Sequence, residues 1–138
     1  MLKEERIIIF GCGRLGAQLA DSLYNEGKDV IIIDKNEASF NKLSDSYGGL
    51  TIVKDGTQLE TLEQLNVKDN DVFIVVTDDD NTNIMISQLA REVFHMKKII
   101  CRLYDPQREC VYDEFHIDTI CPTYLSVKRI ENILEERK

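Results

Sequence analysis

Six short runs rich in β-branched and apolar residues recur along the chain: Arg6–Phe10, Asp29–Ile33, Leu50–Val53, Val72–Val76, Lys98–Cys101 and Thr119–Cys121. They are continuous rather than alternating, the pattern of strands buried on both faces of a sheet. Helical spacing fills the intervals. Leu15, Leu19, Ala20 and Leu23 repeat before Gly27, which suits a helix stop. A short helix is expected over Ala38–Asp45. Another is expected over Gln58–Leu65, with Leu59, Leu62 and Leu65 on one face, and a fourth over Thr82–Phe94, carrying Ile86, Leu89, Ala90 and Val93. Strands alternating with helices of this length predict an α/β fold, a parallel sheet with right-handed crossovers. Towards the end, Pro106–Phe115 reads as a helix opened by proline. Cys121-Pro122 closes the last strand, and Thr123–Lys138 reads as a terminal helix with Leu125, Ile130, Ile133 and Leu134 apolar. That helix needs a surface to pack on, either its own sheet or a second subunit.

Composition narrows the class. At 138 residues the chain fits one domain, 1–138, and 43% hydrophobic residues suffice for a core. The net charge of −8 speaks against a non-specific nucleic-acid binder, which needs a basic face. It still permits one anionic nucleotide, since a helix N-terminus binds phosphate locally. No apolar run is long enough to span or insert into a membrane, and MLKEERIIIF is too charged for a signal peptide. Cys12, Cys101, Cys110 and Cys121 form no C-x-x-C pair, so they read as reduced thiols rather than zinc ligands.

The chemistry concentrates in the stretch GCGRLG. Gly11, Cys12, Gly13, Arg14, Leu15 and Gly16 fit the dinucleotide fingerprint G-x-G-x-x-G, placed between a strand and a helix as that motif requires. The first glycine permits the turn, the second lets backbone approach a phosphate, and the third lets helix and strand pack closely. The fingerprint also asks for an acid at the end of the next strand. Asp34 closes VIIID, with Lys35 after it, and its carboxylate suits ribose hydroxyls. An acid there disfavours a 2′-phosphate, and so NADP. The other reading of these residues is a plain strand–helix connection, with Asp34 capping the Ala38 helix.

Further candidates stand at the other strand ends, where open α/β sheets bind ligands. Asp55 and Gly56 follow the third strand, beside an adenine or simply as an Asp-Gly turn. Thr77 and Asp78 follow the fourth, over phosphate or ribose, with Asn81 or Thr82 capping the next helix. Asp78-Asp79-Asp80 reads as a helix-start charge cluster, with metal binding as the lesser alternative. Arg102 ends the fifth strand, facing a phosphate or pairing with Asp105 or Glu109. His95 reads as a surface residue and His116 as a loop residue. There is no G-x-S-x-G elbow and no positioned acid–base pair, so no catalytic residue is assigned. The alternative functions are an NAD-dependent oxidoreductase and a soluble adenylate or redox sensor.

Taken together, GCGRLG, Asp34, VKDGT, VVTDDD, ICRLYDP and IDTICP resemble the TrkA-N or RCK N-terminal domain family over roughly residues 5 to 135. The resemblance implies a Rossmann-type doubly wound parallel six-stranded sheet with a C-terminal crossover helix. It implies a cytoplasmic regulator, peripheral to the inner face of the membrane through a potassium transporter or channel partner. It implies a regulatory ligand, AMP, ADP, ATP or NAD(H), that undergoes no reaction. It also implies a homodimer, with residues 123–138 at the interface, and a ring built from dimers. Carried over by position, Gly11, Gly13 and Gly16 hold phosphate and Asp34 the ribose. Asp55 and Gly56 flank adenine, Thr77 and Arg102 lie near phosphates, and Arg14 contacts a terminal phosphate. Several members place a metal-binding Glu after the proline that ends strand six. Thr123 stands there instead, so no metal ligand carries over. The C-terminal domain common in the family has no counterpart here, which implies a stand-alone subunit or one partner of a split system.

Overall fold

A computed structural model describes residues 5–105 and 117–137. Its element order is β1 (Arg6–Phe10), α1 (Arg14–Asn25), β2 (Asp29–Asp34), a 3-10 turn (Glu37–Lys42), β3 (Leu50–Val53), α2 (Leu59–Gln64), β4 (Val72–Val75), α3 (Asp80–Glu92), β5 (Lys98–Arg102), β6 (Asp118–Ile120) and α4 (Pro122–Glu136). All five strand pairings are parallel, in the order β3-β2-β1-β4-β5-β6. This is the doubly wound Rossmann-type sheet expected from the sequence. The expected helix over Pro106–Phe115, Cys110 and His116 lie outside the described residues.

Alternate residues of the central strands feed two cores. Ile8, Phe10, Ile31, Ile33, Phe73 and Val75 pack against Leu62, Ile86 and Ala90 on one face. Ile7, Ile9, Val30, Ile32 and Ile74 pack against Ala17 and Ala20 on the other. Each such side chain contributes about 1.5–3 kcal/mol by leaving water. The expectation of strands buried on both faces holds for β1, β2 and β4. It fails at the edges, where β3 is largely exposed and β6 half-covered. A continuous apolar run reads the same in a central strand and an edge strand, because neighbours decide burial.

The helix after β2 is a 3-10 turn, shorter than the Ala38–Asp45 expected. Asn36 caps it through Ala38 N–H, and Leu43 is already extended (φ −70°, ψ 148°). Asp21 of α1 then takes the Ser44 N–H, which pulls the chain out of helix. Gly27 ends α1 as expected, at φ +84°, with Lys28 N–H donating to the Leu23 carbonyl. At the amino end of the sheet the Arg6 guanidinium lies 2.7 Å from the buried Asp71 carboxylate and also donates to the Leu65 carbonyl.

Sheet order reverses between β1 and β4, which leave the sheet in opposite directions through their connections. Chain segments diverge there and open a crevice above the carboxyl ends.

Candidate functional site

The crevice is a cleft of about 780 Å³ above the ends of β1, β2, β3, β4 and β5. Gly11, Cys12, Gly13, Arg14, Asp34, Lys35, Asp55, Gly56, Thr77, Asp78 and Arg102 all line it. Residues from five strand ends thus meet at one site. Leu15 and Gly16 stand behind it: Leu15 packs on the second core, and Gly16 is buried beneath the turn.

The three fingerprint glycines have different physical roles. Gly11 sits at φ +108°, and a Cβ on it would meet Thr77 N at 2.8 Å. A Cβ on Gly16 would lie 1.9 Å from the Gly11 carbonyl oxygen. Gly13 is unlike both. Its φ of −85° suits any residue, and a Cβ there would meet nothing within 4 Å. The fold does not need a glycine at 13; a ligand lying on the backbone would. Gly13 is also the N-cap of α1, with no side-chain cap and no acid in the first turn. The positive end of the helix dipole therefore opens on the cleft.

Asp34 anchors the turn. One carboxylate oxygen accepts from Cys12 N–H and the other from Asn36 N–H, each at 2.8 Å. It thus fixes the glycine turn to the end of β2 and keeps its remaining lone pairs for the cleft. The helix cap expected of it as an alternative belongs to Asn36 instead. Asp55 forms a turn of its own, accepting from the Thr57 hydroxyl at 2.7 Å and from Thr57 N–H at 2.9 Å. Those hydrogen bonds hold its carboxyl below the usual carboxylate range. Gly56 rests on the core, where a Cβ would meet Phe10 Cδ1 at 2.6 Å.

At the β4 end, helix α3 starts two residues earlier than Thr82. Asp79, rather than Asn81 or Thr82, is the cap, accepting from Asn81 N–H and the Thr82 hydroxyl. Asp80 accepts from the backbone N–H of Tyr104 and Asp105. The acidic run thus supplies a helix cap and a clamp on the β5 exit. Arg102 lies over the Tyr104 ring, 4.2 Å from its centroid, and its Nε is buried without a hydrogen-bond partner. His95 is exposed just after α3, at φ +55°.

Three cleft features escape the sequence reading. Tyr104 and Lys42 line the cleft from loops without a motif. Asn83, wholly buried, joins the ends of β4 and β5: its Oδ1 accepts from Thr77 N–H and hydroxyl, and its Nδ2 donates to the Thr77 and Arg102 carbonyls. The signal is present in the spacing, because Asn83 falls on the same helix face as Ile86 and Ala90.

Burial, reinforced by the Asp34 carboxylate, pushes the Cys12 thiol up to about 11. Its ordinary value is 9.0. The folded state therefore keeps a proton that the unfolded chain releases, so this contribution to stability is intact below pH 9 and lost as pH rises to about 11. Tyr47, pushed up to about 12 by burial, extends the loss upward. Urea midpoints measured from pH 8 to pH 10.5 are expected to fall less steeply in Cys12→Ala than in the wild type. Equal slopes would remove Cys12 from this account.

Residues 7–122 match the TrkA-N domain. The chain belongs to the TrkA-N family. Relatives include the Trk system potassium uptake protein TrkA of Streptomyces coelicolor, 37% identical over 114 residues, which cover 83% of this chain and 51% of that protein. The TrkA homolog of Methanothermobacter thermautotrophicus is 32% identical over 133 residues, 96% of this chain and 61% of that protein. The chain thus spans about half to three-fifths of the length of these curated relatives. Two solved structures share its fold. The Shewanella denitrificans Kef C-terminal domain in AMP-bound form aligns at TM-score 0.76 and 21% identity, covering 91% of this chain and 77% of that one. The GsuK channel bound to NAD aligns at TM-score 0.71 and 17% identity, covering 87% and 22%. In the TrkA-N domain described here, no described helix is long and apolar enough to cross a membrane.

Proposed function

We propose that this TrkA-N domain is a regulatory subunit of a potassium channel or transporter. It binds an adenine nucleotide or NAD(H) in the cleft and passes the bound state to the partner. The observation that carries this reading is Gly13: a glycine the fold does not require, at an uncapped helix N-terminus open to the cleft. The phosphates lie there, the ribose on Asp34 and the adenine beside Asp55 and Gly56. The likeness to chains solved with AMP and NAD supports the ligand class. The names of the relatives support potassium uptake as the process.

The ligand acts as a signal and not as a reactant. In support, Thr77, Asp79, Asp80 and Asn83 at the β4 and β5 end of the cleft are engaged with backbone. Thr77 and Asp79 hold the α3 start, and Asn83 and Asp80 hold the β5 exit. Coupling runs through a homodimer. Helix α4 has no buried residue and exposes Tyr124, Leu125, Val127, Ile130 and Leu134. A second copy covers that stripe, and a ligand that favours one dimer geometry shifts the equilibrium by its difference in affinity.

The test is calorimetric titration of wild type and Gly13→Ala with AMP, ADP, ATP, NAD and NADH. The wild type is expected to bind at least one of them. Gly13→Ala is expected to lose at least about tenfold in affinity while its unfolding free energy moves by about 1 kcal/mol or less, the cost of alanine at an N-cap. Undiminished binding in the variant would remove the phosphate cradle from the glycine turn. Turnover of NADH with a small carbonyl compound would favour the oxidoreductase reading instead.

A further inference from the structure

Tyr104 has no task in the site as described so far, yet it lines the cleft beside Arg102. The Arg102 guanidinium carbon lies 4.2 Å from the centroid of the Tyr104 ring. Among the described residues Arg102 is in no ion pair, and its Nε is buried without a hydrogen-bond partner. The nearby acids are turned to other work. Asp80 accepts from Tyr104 and Asp105 N–H, and Asp79 from Asn81 N–H and the Thr82 hydroxyl. Asp78 lines the same cleft without pairing to Arg102. How the arginine is held matters chemically. A carboxylate partner takes the in-plane N–H groups of a guanidinium, the groups that recognise an anion. An aromatic ring holds it through its face and leaves those edges unspent. The backbone of the stack is tied down on both sides. Tyr104 N–H donates to Asp80 at 2.9 Å, and the Arg102 carbonyl accepts from the buried Asn83 at 3.1 Å, both from the start of α3. The ring itself is 44% exposed, so it adds little to the core.

We propose that Tyr104 is a positioning residue: its ring holds the Arg102 guanidinium flat at the β5 end of the cleft, so that an anionic group of the bound nucleotide meets a cation already oriented. This rests on the nucleotide reading of the cleft. Arginine is among the side chains that lose most rotamer freedom when a ligand fixes them. The stack removes part of that loss before the ligand arrives, a gain by preorganisation. Tyr104 acts through Arg102, and its hydroxyl takes no part.

The experiment is a double-mutant cycle on affinity, read by calorimetry with whichever of AMP, ADP, ATP, NAD and NADH binds the wild type most tightly. Tyr104→Leu keeps apolar bulk but removes the ring, and is expected to weaken binding about fivefold, the scale of a part-exposed cation–π contact. Tyr104→Phe keeps the ring and is expected to stay within about twofold of wild type. Arg102→Met is expected to weaken binding about tenfold or more. In the Arg102→Met background, Tyr104→Leu is expected to change affinity by less than about twofold, because the ring then has no cation to hold. A tyrosine with a merely structural role would not show that dependence. Undiminished binding in Tyr104→Leu or in Arg102→Met overturns the proposal. So does an equal loss from Tyr104→Leu in both backgrounds, which would put the ring against the ligand itself. A loss in Tyr104→Phe as large as in Tyr104→Leu overturns it too, by assigning the effect to the hydroxyl. Binding that is indifferent to Tyr104 leaves the nucleotide reading of the cleft standing. If none of the nucleotides binds the wild type, that reading falls and the proposal with it.

Discussion

Gly16→Ala is expected to destabilise the protein by about 3 kcal/mol or more, the upper range for overpacking a rigid site. In an exposed helix the same change would stabilise by up to about 1 kcal/mol, because glycine is the poorer helix former. The sign is reversed here by a contact that cannot yield. The new methyl would lie 1.9 Å from the Gly11 carbonyl oxygen and 3.1 Å from its carbon, both backbone atoms. No rotamer change relieves this, so α1 must lift off the end of β1. That movement also opens the seam where Gly11 N–H donates to the Ile33 carbonyl and Cys12 N–H to Asp34. Urea unfolding followed by circular dichroism reads the loss directly, with Gly13→Ala, three residues earlier in the same motif, as the internal control. A curve superimposable on wild type would mean that the helix has room the structure does not show.

The second large effect is expected at Asn83. Replacing it with leucine keeps bulk but leaves Thr77 N–H, the Thr77 carbonyl and the Arg102 carbonyl without their partner in a buried site. Each orphaned group costs about 1–3 kcal/mol, so a total loss of about 3–4 kcal/mol is expected once partial relaxation is allowed. Asn83→Asp is expected to fare no better, since a buried carboxylate there would face the two carbonyls that Nδ2 now serves. Chemical denaturation of both variants tests this. If leucine is tolerated within about 1 kcal/mol, ordered water must replace the amide, and the β4 and β5 ends are less tightly joined than described.

How far the sequence revealed the molecule depends on the kind of signal each residue carries. The central strands and the glycine turn were legible because their cause is local. Ile7 to Phe10 are apolar without a break, Gly11 is required by its own φ of +108°, and Gly16 by a backbone contact inside one strand–turn–helix unit. The strand-end residues were legible through topology, since a parallel sheet brings all carboxyl ends to one edge. Boundaries were less so. The α3 cap fell on Asp79 because three consecutive acids and two further polar residues are all plausible caps, and only the position of the Tyr104 and Asp105 backbone decides among them. Lys42 and Tyr104 had no pattern to betray them. Each reaches the cleft through where its loop is tied, Lys42 by the Asp21–Ser44 hydrogen bond and Tyr104 by Asp80. Such ties join residues far apart in the chain and leave no periodicity behind.

If α4 is covered by a second copy as proposed, protein concentration becomes a hidden variable. Its 15 residues bury no side chain against the rest of the described chain. That length is close to the limit at which a helix without packing is marginal in water. In the proposed homodimer its order is drawn from the second copy that covers the apolar stripe, and mass action governs the supply. On dilution of that dimer the C-terminal segment is expected to lose its support while the sheet and cleft, with their own two cores, persist. Titrations at very different protein concentrations would then sample different assemblies of one chain, and an affinity would have meaning only alongside the concentration at which it was taken.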